Sequence, residues 1–193
     1  MNPGAVPGER ENREGILEAT RRQVERGGWG AVSLGRVATQ AGVSKALIHY
    51  HFSDKQRLLS AVAVECIRRI ENRGAAVAGA SSSEDALAAF WNWLQEELDQ
   101  GDMRALLQLA RAEDDKVQEH AKIGLAKFRA LVRVQVEHVL EMLELSPRIP
   151  VVLLAEVVAT LVEGLAVRHD PPGTREERSV VDALWLSVIA LAE

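Results

Sequence analysis

The chain has 193 residues, of which 47% are apolar and 26% charged, and a formal net charge of −5. That length supports one substantial core or two small ones, and the composition excludes a chain disordered throughout. The single cysteine, Cys66, excludes an intramolecular disulfide and points to a reducing, cytoplasmic compartment; among Val62, Val64 and Ile67 it reads as a small buried hydrophobe.

The charge is divided unevenly. Residues 1–73 hold 12 basic against 8 acidic side chains, a net of +4, and the remainder holds 11 against 20, a net of −9. A basic N-terminal part on an acidic protein points to a confined phosphate-facing surface.

In chain order, the opening "MNPGAVPGER" carries proline, glycine and charge but no apolar run of the kind a signal peptide needs. Residues 1–8 are expected to be a disordered leader. Helical periodicity follows throughout, while strand alternation and Asn-Gly or Asp-Gly turns are nearly absent, so an all-α fold is expected. Breakers such as "GGWGAVS", "AGVS", "HFSDK", "AGASSSED", "DQGD", "LELSPRIP" and "HDPPGTREE" divide the chain into about nine helices. The first is expected from Glu9 to Arg26, burying Ile16, Leu17 and Val24 and stopping at Gly27 and Gly28. Ser33 is placed to cap a short second helix over 34–40, Ser44 a third, and Ser53 or Asp54 a fourth that starts at Lys55 and runs to about Val77. Further helices are expected over 84–100, 102–114, 116–145, 148–168 and 174–192. The most apolar segment, 150–169, contains Glu156 and Glu163, and a charged side chain at a bilayer centre costs about 2.5 kcal/mol or more. It reads as a buried helix, and no membrane partner is expected.

The chemistry-bearing side chains gather in "AGVSKALIHYHF", residues 41–52. A metal site fails on geometry: at about 100° per residue, His49 and His51 point about 200° apart on a helix and cannot chelate one ion from one face. Catalysis fails on motifs, since neither a nucleophile elbow, a P-loop, a dinucleotide fingerprint nor an H-E-x-x-H pattern is present. The acids of "ARAEDDKVQEH" read as a solvated face or a helix junction. Neither an enzyme nor a cofactor is expected.

What remains is two short helices joined by a tight turn. In "SLGRVATQAGVSKALIHYHF", Ala38 allows close approach, Gly42 supplies positive φ, and Val37, Val43 and Ile48 form the small core between the helices. This is a helix-turn-helix. Its second helix presents Lys45, Ala46, Leu47, His49 and Tyr50 outward, with its N-terminus and the Ser44 cap toward a DNA groove. Lys45 suits guanine acceptors or phosphate, and Ala46 and Leu47 suit thymine methyls. His49, Tyr50 and His51 are placed to bond phosphate oxygens, with Lys55 beside them at the next helix start. Phe52 reads as core, packed on the first helix near Ile16 or Thr20.

From Ile16 to Leu59 the chain, "ILEATRRQVERGGWGAVSLGRVATQAGVSKALIHYHFSDKQRLL", resembles the DNA-binding domain of the tetracycline-repressor (TetR) family of transcriptional regulators. The resemblance implies that Ser33 and Arg36 approach DNA from the second helix, that Lys45, Ala46 and Leu47 meet bases, and that His49, Tyr50, His51 and Lys55 hold the backbone. The family often has Gly at the place of Ala46, Thr at Leu47 and Tyr at His49. Leu47 cannot hydrogen-bond a base or phosphate, which implies a different operator. His49 makes phosphate binding pH-sensitive, because histidine changes charge near physiological pH.

The resemblance also implies a domain at 9–55 that binds DNA and a larger helical domain at 56–193 that binds a small molecule and dimerises. Residues 151–167 and 180–191 are apolar enough for a four-helix bundle between two copies, which places a homodimer on a palindromic double-stranded operator. Candidate ligand contacts are Cys66 and Ile70 on the fourth helix, Phe90, Trp91, Trp93 and Leu94 on the fifth, Met103, Leu106 and Leu107 on the sixth, and Phe128, Leu131 and Gln135 on the seventh. At most one of Trp91 and Trp93 is expected to face a given pocket. Gln108, Gln135, His138 and Glu163 are candidate polar anchors, and so apolar a set fits a hydrophobic or amphipathic effector. The expected function is a repressor released by that effector, with the fourth helix as lever; the alternative is a helical DNA-binding regulator without an effector.

Overall fold

The computed structural model describes residues 7–75 and 82–168, together with Ala183. Among them are α1 (Pro7–Gly27), a 3-10 turn at Trp29–Ala31, α2 (Leu34–Ala41), α3 (Lys45–Phe52), α4 (Lys55–Gly74), α5 (Ser83–Gln100), α6 (Asp102–Leu109), α7 (Asp115–Met142) and α8 (Val151–Arg168). The fold is all-α. The expected last helix, 174–192, lies outside the described residues, as do residues 1–6 of the expected leader. No helix among the described residues is long and apolar enough to cross a membrane.

The helix ends differ from the sequence expectation where a cap or a turn decides them. α1 starts at Pro7, two residues before Glu9, and proline suits a first helical position because its missing N–H would have no partner there. α4 stops at Gly74, short of Val77. α6 stops at Leu109, not at 114, because Asp114 opens the next helix: its Oδ1 accepts from the N–H groups of Lys116 and Val117, both at 3.1 Å. The acidic run "EDD" is thus a helix junction. α7 closes at Met142 through a backbone bond from Leu145 to Leu140 at 3.0 Å, with Glu144 at φ 54°. α8 begins at Val151, immediately after Pro150.

The contacts divide the chain into two compact units, residues 1–66 with 105–124, and residues 67–104 with 125–193. In the first, α1 packs on α2, on the 3-10 turn and on α3. Ile16, Leu17, Val24, Val37, Ile48 and Phe52 are all buried there. Phe52 lies against α1 as expected, with the Arg13 guanidinium 5.4 Å from its ring centroid.

In the second unit α5 packs on α8, and a buried ion cluster joins the end of α4 to α5 and α6. Arg73 holds the Glu97 carboxylate through two bonds of 2.7 and 2.8 Å and reaches Asp102 at 2.8 Å. The indole N–H of Trp93 donates to the same Glu97 at 2.9 Å. Glu97 and Asp102 are fully enclosed. Burial pushes the Glu97 carboxyl above the usual carboxylate range, against the pull of Arg73 and Trp93. The two carboxylates hold the Arg73 guanidinium more firmly protonated than usual.

Such a cluster is costly to break from one side, because an unpaired buried charge remains. Arg73→Met is expected to lower stability by about 3–5 kcal/mol at neutral pH, measured by chemical denaturation. Without the guanidinium, the folded-state Glu97 carboxyl rises further above its unfolded value. A group raised in this way contributes stability at low pH and loses it as pH rises. The deficit of the variant therefore shrinks as pH falls into the acidic range, and a deficit that grows there would contradict the account.

Candidate nucleic-acid interface

The helix-turn-helix is built by its turn. Gly42 caps α2 in the left-handed region at φ 67°, which glycine adopts without strain. The N–H of Val43 returns to the Ala38 carbonyl at 3.0 Å and that of Gly42 to Thr39 at 3.4 Å, a glycine-terminated helix end of the Schellman type. Ser44 then starts α3, its hydroxyl accepting from the Leu47 N–H at 3.1 Å. Ile48 and Phe52, four residues apart, are the buried side chains of α3 and anchor it.

The two other expected caps resolve differently. Ser33 precedes α2, but its hydroxyl makes no capping bond. Its backbone N–H donates instead to Gln23 Oε1 on α1 at 3.0 Å, and Gln23 Nε2 donates to Gln40 Oε1 at 2.9 Å. One nearly buried amide therefore ties α1 to both ends of α2. At α4 the cap is Asp54, whose Oδ1 accepts from the Arg57 N–H at 2.7 Å, while Ser53 turns the chain at φ 63°.

On the outer side of α3, Lys45, Ala46, His49 and Tyr50 are exposed, Tyr50 by 71%; Leu47 and Lys55 are half-buried, and Ser33, Arg36 and Ser44 lie at the surface. Arg36 donates to the Ala31 carbonyl. The His49 ring is bound at Nδ1 to the Ser53 carbonyl at 3.0 Å. A carbonyl only accepts, so Nδ1 carries the proton and the neutral ring offers a lone pair at Nε2, which repels phosphate; only the imidazolium donates there. His51 is turned inward, half-buried between Tyr50 and Phe52 at 5.2 and 6.0 Å between centroids, and its Nε2 is enclosed without a partner.

The sequence reading did not single out Gly35. It is the second residue of α2, in the first turn. A Cβ there would lie 3.2 Å from Lys45 Cε and 3.4 Å from its Nζ. The bare backbone leaves room for the Lys45 side chain to lie across α2. The signal was a glycine in the first turn of the expected second helix, where a side chain would have been tolerated; the network of Gln23 left no signal at all.

The expected ligand contacts fall in both units. In the first, Cys66 and Leu106 are buried and Leu107 is half-buried. In the second, Ile70, Phe90, Trp93, Leu94, Met103, Phe128 and Gln135 are buried, and Trp91 and Leu131 are half-buried. Trp93, not Trp91, is the enclosed indole of the pair, 6.0 Å from Phe90 and 5.8 Å from Phe128 between centroids. Gln135 donates to the Gly74 carbonyl at 3.0 Å, and its Oε1 is buried without a partner, as is His138 Nε2. Glu163 is occupied by a two-bond pair with Arg129, both bonds at 2.8 Å.

Residues 16–62 match the profile of the bacterial regulatory proteins, tetR family. The match is confined to that segment, about a quarter of the chain. None of the curated proteins matches it in sequence. Among solved structures, a TetR-family transcriptional regulator from Agrobacterium tumefaciens is similar at TM-score 0.77 and 17% identity, over 93% of this chain and 97% of that one. The transcriptional regulator FadR from Bacillus subtilis, in complex with stearoyl-CoA, is similar at TM-score 0.66 and 16% identity, over 91% and 97%. NalD, the secondary repressor of the MexAB-OprM multidrug efflux pump in Pseudomonas aeruginosa, is similar at TM-score 0.62 and 18% identity, over 95% and 98%. The TetR fold thus extends beyond the matched domain to nearly the whole chain.

The capping difference is measurable. Ser44→Ala is expected to destabilise the protein by about 1 kcal/mol, the usual cost of a lost N-cap bond. Ser33→Ala, which removes no such bond, should cost less than half as much in the same thermal denaturation; equal losses would contradict the assignment.

Proposed function

We propose that the protein is a DNA-binding transcriptional repressor that reads a palindromic operator as a homodimer and is released by a small hydrophobic or amphipathic effector. The observation that carries this reading is the exposed row Lys45, Ala46, His49 and Tyr50 on a capped, core-anchored α3, within a segment that matches the tetR family. In this reading residues 9–55 are the reading head and 56–193 the effector-binding and dimerising part. Lys45, Ala46 and Leu47 meet base edges, and Ser33, Arg36, Ser44, Tyr50 and Lys55 hold the backbone. His49 joins them when doubly protonated, and His51 contributes less than the sequence suggests because one ring nitrogen is enclosed.

The dimer interface in this reading includes α8. Val152, Leu153, Val157 and Val167 are exposed by 44–54%, and a groove of about 800 Å3 runs along Leu153, Val157, Leu161 and Gly164. An apolar stripe on one face of a helix is what a two-fold partner would bury. Two copies would set their α3 helices about 34 Å apart, one turn of DNA. That a similar fold holds stearoyl-CoA supports an amphipathic effector. An effector acts only through differential affinity: a preference of about 100-fold for the state that does not fit DNA supplies about 2.7 kcal/mol of coupling.

Selection of bound sequences from a random DNA pool tests the assignment. The protein is expected to enrich a palindrome, and Lys45→Ala with Tyr50→Ala to lose that enrichment while remaining folded and dimeric; unchanged enrichment would overturn it. The interface has a separate check. Val157→Arg with Leu153→Arg is expected to give a monomer in sedimentation and to weaken operator binding at least tenfold, whereas a dimer of unchanged mass would place the interface elsewhere.

A further inference from the structure

We infer that the groove between α1 and α2 is a second DNA-backbone contact, separate from α3, in which Arg22 and Arg26 together receive one phosphate of the duplex flanking each half-site, beside the contact already given to Arg36. This rests on the DNA-binding reading above.

The groove has a volume of about 650 Å3 and is bordered by Glu18, Arg22, Gln23 and Arg26 of α1 and by Arg36 and Gln40 of α2. Its charge is set by Arg21, which is nearly buried and lies beside the acids of α1. Arg21 bonds Glu18 at 2.8 Å and Glu25 at 3.2 Å. With Glu18 and Glu25 neutralised from the inside, the guanidinium groups on the groove's edge set its sign. Arg22 touches Glu18 at 2.8 Å, but its side chain is 61% exposed, and a pair so open to water holds it only weakly. Arg26 is exposed and has no ion-pair partner among the described residues. Arg36 uses one donor on Ala31 and has others left.

Guanidinium donors match phosphate oxygens two at a time. The position favours a duplex over a free anion, because the wall of the groove is continuous with the start of α2. The amide of Gln23, which lines it, is bonded to both Ser33 and Gln40. A duplex held at Ser33 and Arg36 therefore meets the mouth of this groove along its own backbone. The contact adds affinity and salt dependence without reading sequence.

The test compares the full-length protein with Arg22→Gln/Arg26→Gln on the selected operator, in a long duplex and in one trimmed to the palindrome, across a salt series. On the long duplex the slope of log K against log salt should fall in magnitude by about 2, one phosphate lost per protomer at about 0.9 each. The ranking of operator variants should not change. On the trimmed duplex the two proteins should converge, and Arg22→Lys/Arg26→Lys should recover most of the slope. An unchanged slope on the long duplex, or an equal loss on both duplexes, overturns the inference and leaves operator binding standing. Failure of the unaltered protein to select any sequence overturns the DNA-binding reading and this inference with it.

Discussion

A helix of eight residues does not hold its shape in water. Nucleation fixes several residues before propagation repays them, and isolated helices shorter than about 12–15 residues are marginal. Yet α3, Lys45–Phe52, has eight residues, and the proposed function requires its outer row to be rigid. Everything around it answers that constraint. Gly42 ends α2 so that the chain turns into α3 across residues 42–44, Ser44 satisfies a free N–H of the first turn, and Ile48 and Phe52 fix the inner face. α1 supplies the opposing surface, through apolar burial and through the Gln23 amide that holds α2 in place.

The same scaffolding constrains the chemistry on the outer face. Because the His49 Nδ1–H donates a hydrogen bond to the Ser53 carbonyl, the ring braces the α3–α4 turn, and in the proposed reading only its charged form can also donate to a phosphate oxygen. Because Gly35 leaves room above α2, Lys45 can lie back across α2 instead of standing away from α3. In the proposed reading, base recognition by "KAL" relies on one cation and two apolar contacts. Such a set discriminates by thymine methyls and groove shape more than by paired hydrogen bonds. Backbone contacts must then carry much of the affinity, and the arginines along the α1–α2 groove are placed to share that work.

The all-α fold and the helix-turn-helix were legible because both depend on local rules. Helical period, the αL glycine at 42 and the Ser44 cap are written within a few residues of where they act. Helix ends decided by a competing cap were not: the acids after Leu109 look like a continuing helix until Asp114 is seen to bond Lys116 and Val117. Long-range polar bonds were also hidden. Ser33 looks like a cap by residue type, but Gln23, ten residues earlier, takes its N–H. Arg73 lies 24 and 29 residues from Glu97 and Asp102, and each of the three reads alone as a surface charge; only folding makes them a buried cluster. The exposed row on α3 was readable because it is one helix face. The α1–α2 groove was not, since its arginines come from two helices.

The buried cluster also limits how an effector can act. Separating Arg73 from Glu97 and Asp102 costs about 3–5 kcal/mol, because a charge would be left unpaired in the interior. The coupling available from a preference of about 100-fold is about 2.7 kcal/mol. An effector of that strength cannot open the cluster and still drive the transition. The C-terminal end of α4 is held further by Gln135 on the Gly74 carbonyl and by Lys127 on Glu71, at 3.0 and 2.7 Å. In the proposed mechanism these ties therefore stay closed, and Arg73 at the end of α4 stays joined to Glu97 and Asp102. In that mechanism the side chains best placed to respond to a ligand are those outside the cluster, such as the half-buried Trp91 and Leu131.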